Sequence, residues 1–411
     1  MRPGELVQRL LDGVAMIGAD PPGITRDAYG RGENAAHALI AEAGATLGMT
    51  AHVDAGANLT LRWAAADAVA PPVLIGSHLD SVVQGGNFDG AAGVIAGLGV
   101  VAALQAAGVR PKRDIEVLAL RCEEAVWFGL GLIGSRCMLA RLPPGALELR
   151  HARSGLSLAE SILGCGGNPE ALRENRPLRD PGGIGAYLEA HIEQAPQLVE
   201  AGAPIAVCLA NPGNLRHPFI HISGEDAHTG LPHRFRRDAA LAGADLALAL
   251  EALWLEEEAA GRPMAVTIGR FHTPAARHSL TAVSGEFEMS LDLRGYGGAH
   301  LTALEARLGE IAAGVATRRG VTITLGERST AAPGLMDPGL IAALEGAAGS
   351  LGIAAPRLNS PGSHDANNFA ASGVPTGMLL VRNRNGSHNP FEAMETADLM
   401  AAVDTFAAML A

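Results

Sequence analysis

The 411-residue chain predicts an α/β fold with a central, mostly parallel sheet and a smaller α+β ferredoxin-like domain inserted into it. Three observations predict this. Continuous apolar runs alternate with helix-like runs through the first two hundred residues, the pattern of a parallel sheet covered on both faces. Near Asn211 the rhythm changes to strands of alternating apolar and polar residues, and near Arg328 the first rhythm returns. The expected boundaries are 1–210 and 329–411 for the larger domain and 211–328 for the insertion.

The N-terminal MRPGELVQRLLDGVAMIG reads as a short amphipathic helix without the apolar core and cleavage site of a secretory signal, so a cytoplasmic location is expected. PPVLIGSHLD is a buried strand ending in polar residues, and Gly90 to Gly108 follows as a helix of small residues. Arg113 to Ala125 is a second apolar strand ending in charge. The inserted segment reads strand (HPFIHISG), helix (236–261), strand (PMAVTIGRFH), strand (GEFEMSLDLRGY), helix (298–318) and strand (GVTITLGE). That order is the split βαβ of ferredoxin-like domains. PTGMLLV is a last buried strand and Asp398 to Leu410 the closing helix.

The net charge of −12 argues against nucleic acid as a partner, because phosphate binding needs a basic face and no block of lysines or arginines supplies one. No uninterrupted apolar run approaches the roughly 18 residues of a membrane span. Cys122, Cys137, Cys165 and Cys208 lack CxxC spacing and are expected as buried thiols.

Polar density concentrates in GSHLD with NFDG, RCEEAVWFGLGLIGS, EAHIEQAPQLVE, GEDAHTGLPHRFRRDA, and GSHDANN with NGSHNPFE. Ligands in open α/β sheets sit beyond the carboxyl ends of the strands. His78, Asp89, Glu124, His191 and His388 fall at or near such ends. Imidazoles and carboxylates in these numbers suit divalent first-row ions. Two ions bridged by one carboxylate would use three histidines and two acids and leave positions open for water. Glu123 would then be free to act as a base. Asp80, two residues beyond His78, can accept the imidazole's other N–H.

On GSHLDSV, GGNFDG, EEAVWFGLGLIGS, HIEQAP, GEDAH, LDLR, HDA and GSHNPFE, in that order, the chain resembles the M20-type metallohydrolases. The nearest branch holds N-carbamoyl-L-amino acid hydrolases, β-ureidopropionases and allantoate amidohydrolases, the hydantoinase/carbamoylase enzymes. The resemblance implies two divalent ions per subunit, Zn²⁺ or Mn²⁺, with Co²⁺ or Ni²⁺ as alternatives. His78 and His191 would hold one, Glu124 and His388 the other, with Asp89 bridging. It further implies Glu123 as general base acting on a metal-bridging water and Gln194 and Arg294 as substrate contacts; beside these, the residues themselves nominate Asp80 for the catalytic set and His364 for substrate binding or for shaping the pocket. His228 would reach the reacting carbonyl from a partner subunit, in a homodimer formed through the inserted lid. The implied reaction is hydrolysis of a linear amide or ureido C–N bond in a small carboxylate-bearing molecule such as an N-carbamoyl-L-amino acid. Alternatives are an N-acyl amino acid deacylase or dipeptidase of the same superfamily, and a binding protein that kept the fold without the chemistry. The chain departs from the family pattern at Ala195, in the stretch HTGLPHRF, at Thr281 and Ser284, and in SPGSHDA. These positions are where substrate, not metal, would be read.

Overall fold

The structure is a computed structural model that describes residues 2–66 and 70–411. The chain divides into two compact units, Met1–Asn211 with Gly334–Ala411, and Pro212–Pro333. The second crossing falls five residues later than the expected 328/329. Ser329–Ala331 still pairs with Asn214–Arg216 and so belongs to the inserted unit.

The first unit opens with α1 (Pro3–Ala15), whose Leu6, Val7, Leu10, Leu11 and Val14 form one buried face at helical spacing. Next come α2 (Arg31–Thr46) and the hairpin of β1 (Thr50–Val53) and β2 (Leu59–Trp63). The strands β3 (Val73–His78), β4 (Ile115–Leu120) and β5 (Ala186–Ile192) are buried along their whole length. Between β3 and β4 runs α3 (Ala91–Ala106), buried on nearly every side because its glycines and alanines let neighbours approach closely. β6 (Ile205–Cys208) ends this segment. The inserted unit supplies β7 (Gly213–Ser223), α4 (Ala239–Ala259), β8 (Met264–Thr267), β9 (Glu286–Gly295), α5 (Gly298–Arg319) and β10 (Thr322–Thr324). The first unit then resumes with α6 (Pro338–Ser350), β11 (Arg357–Leu358), α7 (Ala366–Ala371), β12 (Thr376–Val381) and α8 (Thr396–Leu410).

Among the described residues, the first unit's main sheet has eight strands in the order β11-β6-β12-β5-β3-β4-β2-β1. It is mixed: β12, β5, β3 and β4 run parallel and β11 pairs parallel with β6, while β6, β2 and β1 pair antiparallel with their inner neighbours. The parallel middle is what the continuous apolar runs foretold. The antiparallel flank arises because β1 and β2 are joined by a short hairpin, which forces opposite directions. α3 lies against this sheet with α1 and α8 outside it.

The second unit's strands order as β8-β9-β7-β10, all antiparallel, with α4 and α5 packed on the same core. Along β9, Phe287, Met289, Leu291 and Leu293 are buried while the residues between them are half-exposed, as a period of two requires. The expected strand 263–272 is broken in two. Met264–Thr267 and Phe271–His272 pair separately with β9, and Gly269 lies in the interruption. No helix among the described residues is long and apolar enough to cross a membrane. All four cysteines are free thiols, three of them buried.

Candidate metal centre

Residues from five segments of the first unit converge beyond the ends of β3, β4 and β5. His78 is the last residue of β3. Its Nε2 lies 3.4 Å from Asp89 Oδ1, and that oxygen is 3.0 Å from Nε2 of His191, near the end of β5. The other oxygen of Asp89 is 3.5 Å from His388 Nε2, which in turn is 3.3 Å from Glu124 Oε1. Asp89 therefore belongs to two triads, His78–Asp89–His191 and Asp89–Glu124–His388, each with its ligand atoms within 4.8 Å of one another.

Several features fit these triads to cations rather than to each other. His78 Nε2 and Glu124 Oε1 are buried without a hydrogen-bond partner, which is costly unless something else satisfies them. Neighbouring donor atoms stand 3.0 to 3.5 Å apart. Two ligands about 2.1 Å from a shared tetrahedral ion would be separated by roughly 3.4 Å. The remaining ring nitrogens of His78 and His191 are occupied elsewhere. His78 Nδ1 lies 3.1 Å from the Asp80 carbonyl and 3.2 Å from Asp80 Oδ1, and His191 Nδ1 lies 3.0 Å from the Ile192 carbonyl. These contacts leave both Nε2 atoms to face the site.

Asp80 does more than the sequence suggested. Its Oδ1 accepts the Glu123 N–H at 3.0 Å and its Oδ2 the Glu124 N–H at 3.1 Å. The expected strand 113–125 ends at Leu120, so the two glutamates stand in a loop, not at a strand end. The turn is made at Cys122, whose φ of 51° is left-handed. The loop is held from below by Arg121, which donates to Glu33 at 2.8 Å and to the Ala57 carbonyl at 2.9 Å. Glu33 also accepts the Cys122 and Tyr29 N–H groups.

The fields are strong. Burial opposes ionisation of Asp89, yet the His191 and His78 imidazoles hold it well below the usual carboxylate range. His388, half-exposed, is pushed up to about 9, first by its contact with Glu124. Burial pushes Glu123 well up, with His78 opposing and Glu124, Asp365 and Asp80 reinforcing. Its Oε2 lies 3.9 Å from His78 Nε2.

Gln194, expected at the substrate, donates from Nε2 to Asp89 Oδ2 at 3.0 Å. His364 is buried, hydrogen-bonded to Ser360 at 2.6 Å, its ring centroid 4.1 Å from that of His191. Asp365 beside it is also buried and takes the Ser135 hydroxyl. Two expected site residues stand in the second unit. His228 is exposed on a short strand paired with Ala282–Val283, its Nδ1 accepting the Gly230 N–H. Arg294, on the half-exposed face of β9, lies 3.2 Å from Asp292.

Sequence reasoning missed several supporting groups. Glu189 shares a strand face with His191, two residues on, and accepts the Ser77 hydroxyl and the Ala366 N–H. Arg26 is wholly buried and spends its guanidinium on Leu79 O and Asn87, tying down the loop between His78 and Asp89. Glu392, four residues after His388, reaches the backbone of both Asp89 and His388. The i, i+2 spacing could have revealed Glu189. No local pattern marks Arg26.

Residues 74–411 match the profile of Peptidase family M20/M25/M40. The chain is 36% identical to an N-carbamoyl-L-amino acid amidohydrolase of Geobacillus stearothermophilus, over 94% of this chain and 92% of the relative. It is 29% identical to a ureidoglycolate hydrolase of Arabidopsis thaliana, over 96% of this chain and 83% of that one. The fold superimposes on the crystal structure of a hydantoinase/carbamoylase family amidase from Burkholderia ambifaria with a TM-score of 0.85 and 31% identity, covering 99% and 95% of the two chains.

Proposed function

Since the chain belongs to peptidase family M20/M25/M40, we propose that it hydrolyses a non-peptide C–N bond in a small linear ureido or amide compound carrying a carboxylate. The observation that carries this reading is the shared carboxylate: Asp89 joins two ligand triads, with the Glu123 carboxylate beside them. Three of the relatives that the chain resembles act, by name, on carbamoyl and ureido compounds.

In this proposal His78 and His191 hold one divalent cation, Glu124 and His388 a second, and Asp89 both. Cations there would acidify water and polarise the substrate carbonyl. Glu123 would take a proton from the attacking water at its carboxylate and return it to the leaving nitrogen. Asp80 fixes the backbone of Glu123 and Glu124 and orients His78. Gln194 and His364 border the ligand set and are assigned to substrate. Arg294, a planar fork of donors, is assigned the substrate carboxylate. His228 is assigned the reacting carbonyl, delivered by a second copy in a homodimer through the inserted unit.

The test is ammonia and amino-acid release from N-carbamoyl amino acids, ureidoglycolate, allantoate and N-acetyl amino acids. Enzyme is stripped by chelator and then reloaded with Zn²⁺, Mn²⁺ or Co²⁺. Ammonia release from a ureido acid, abolished by stripping and restored by reloading, is expected. Release from the acetylated set alone would replace this reading with a deacylase. Glu123→Gln should lower kcat by about 10²- to 10⁴-fold while cation content is kept.

A further inference from the structure

We propose that Glu392 is a positioning residue that locks the Asp89 loop to the His388 loop and so sets the spacing between the two halves of the cation site. The inference rests on the two-cation reading above. Glu392 is 8% exposed. Its Oε2 accepts the N–H groups of Phe88 at 3.2 Å and Asp89 at 3.4 Å. Its Oε1 accepts the Ser387 hydroxyl at 2.7 Å and the His388 N–H at 3.3 Å. One carboxylate thus takes four donors from two loops 303 and 4 residues away in sequence. Two of those donors are the backbone amides of the proposed ligands themselves, so Glu392 governs how each side chain leaves the main chain.

Three further observations point the same way. Ser387 Oγ contacts Asp89 Oδ2 as well as Glu392 Oε1, closing a ring through both loops. His388 has φ of 60°, a left-handed conformation that a residue with a Cβ keeps only where its surroundings hold it. The bond from its N–H to Glu392 is one such hold. Gly86 makes room: a Cβ there would sit 2.1 Å from Glu392 Oε2.

Glu392→Gln is the informative variant, because it keeps size and shape but turns one acceptor into an N–H donor. At the Oε2 end the amide nitrogen would face the Phe88 and Asp89 N–H groups, and at the Oε1 end the His388 N–H, where only the Ser387 hydroxyl can turn to accept. Wild type and variant would be stripped, then titrated with Zn²⁺ against a chelating dye. Zn²⁺ stoichiometry, kcat, KM and the melting temperature of the stripped protein would all be recorded. A positioning role predicts Zn²⁺ affinity weakened about 10- to 100-fold and kcat reduced, with KM little changed. Ser387→Ala, which removes one hydroxyl and leaves the backbone contacts, should show a smaller loss of the same kind. Wild-type affinity and kcat in Glu392→Gln, with or without a lower melting temperature, would overturn the proposal. If Glu392→Gln does not fold, Ser387→Ala decides: weakened Zn²⁺ binding supports the ring, and unchanged binding overturns it. Wild type that takes up no Zn²⁺ would sink the two-cation reading, and this inference with it, before any variant is compared.

Discussion

At the scale of single residues, the candidate site depends on groups with little room to vary. Gly90 has φ of 67°, and a Cβ there would lie 2.4 Å from the His78 ring. Gly90→Ala should cost about 1 to 3 kcal/mol from the positive-φ backbone alone. The displaced imidazole should also weaken cation binding; a urea titration and a Zn²⁺ titration check the two effects separately. Asp365 makes a pH prediction. Burial and the Glu189 carboxylate push it up to about 7 from an ordinary 3.8. A carboxyl whose folded value exceeds its unfolded value binds its proton more tightly when folded. Its contribution to stability is therefore complete below about pH 4 and is lost as the pH rises through about 7. In stripped protein, Asp365→Asn keeps an acceptor for Ser135 and should flatten the decline in stability across that window. An unchanged slope would assign the titration to another group. At this scale the sequence was most informative: His78, Asp89, Glu124, His191 and His388 were nominated by residue type at or near strand ends and in the adjoining loops. Arg26 was not, because its partners are mostly main-chain carbonyls, which carry no signature in sequence.

Among the elements, the decisive one is the loop after β4. Its charged residues were legible, since a buried apolar run ending in Arg-Cys-Glu-Glu must emerge from the sheet somewhere near them. The point of emergence was not legible. It is set by the left-handed turn at Cys122 and by the buried Glu33–Arg121 pair beneath it. Both partners of that pair are almost fully buried, so removing one strands the other without water. Glu33→Gln is expected to destabilise the protein by about 3 to 5 kcal/mol, read from denaturant unfolding, with a further loss of activity as the loop loosens. A change under about 1 kcal/mol would mean that the remaining hydrogen bonds to Arg121 suffice. The sheet teaches the same lesson. The parallel order of its middle strands followed from their apolar composition. The antiparallel β6, β2 and β1 depend on how their connections run, and composition does not record that.

For the whole molecule, the five proposed ligands come from segments spread from residue 78 to residue 388. Cations bound there would tie the first unit together across most of its length. At concentrations of 100 to 1,000 times Kd, they should stabilise the folded state by about 3 to 4 kcal/mol, so chelation should lower the melting temperature and reloading restore it. A melting temperature indifferent to chelator would count against the site. The second unit has its own core, with Leu246, Leu250, Phe287, Met289, Leu291 and Leu308 at its centre. Residues 212–333 expressed alone are expected to melt cooperatively, which circular dichroism would show. By itself the sequence determined the alternating architecture, the presence of an insertion, and the residue types able to hold cations. Periodicity and side-chain chemistry are properties of the chain and survive being read in one dimension. Asp89 as the shared carboxylate was already implied by the resemblance; only the tertiary structure decided that Asp80 and Glu392 fix the backbones around it. The contacts of Asp80 with Glu123 and of Glu392 with Phe88 join residues 43 and 304 positions apart, and distance in space along a folded chain is not a function of distance in sequence.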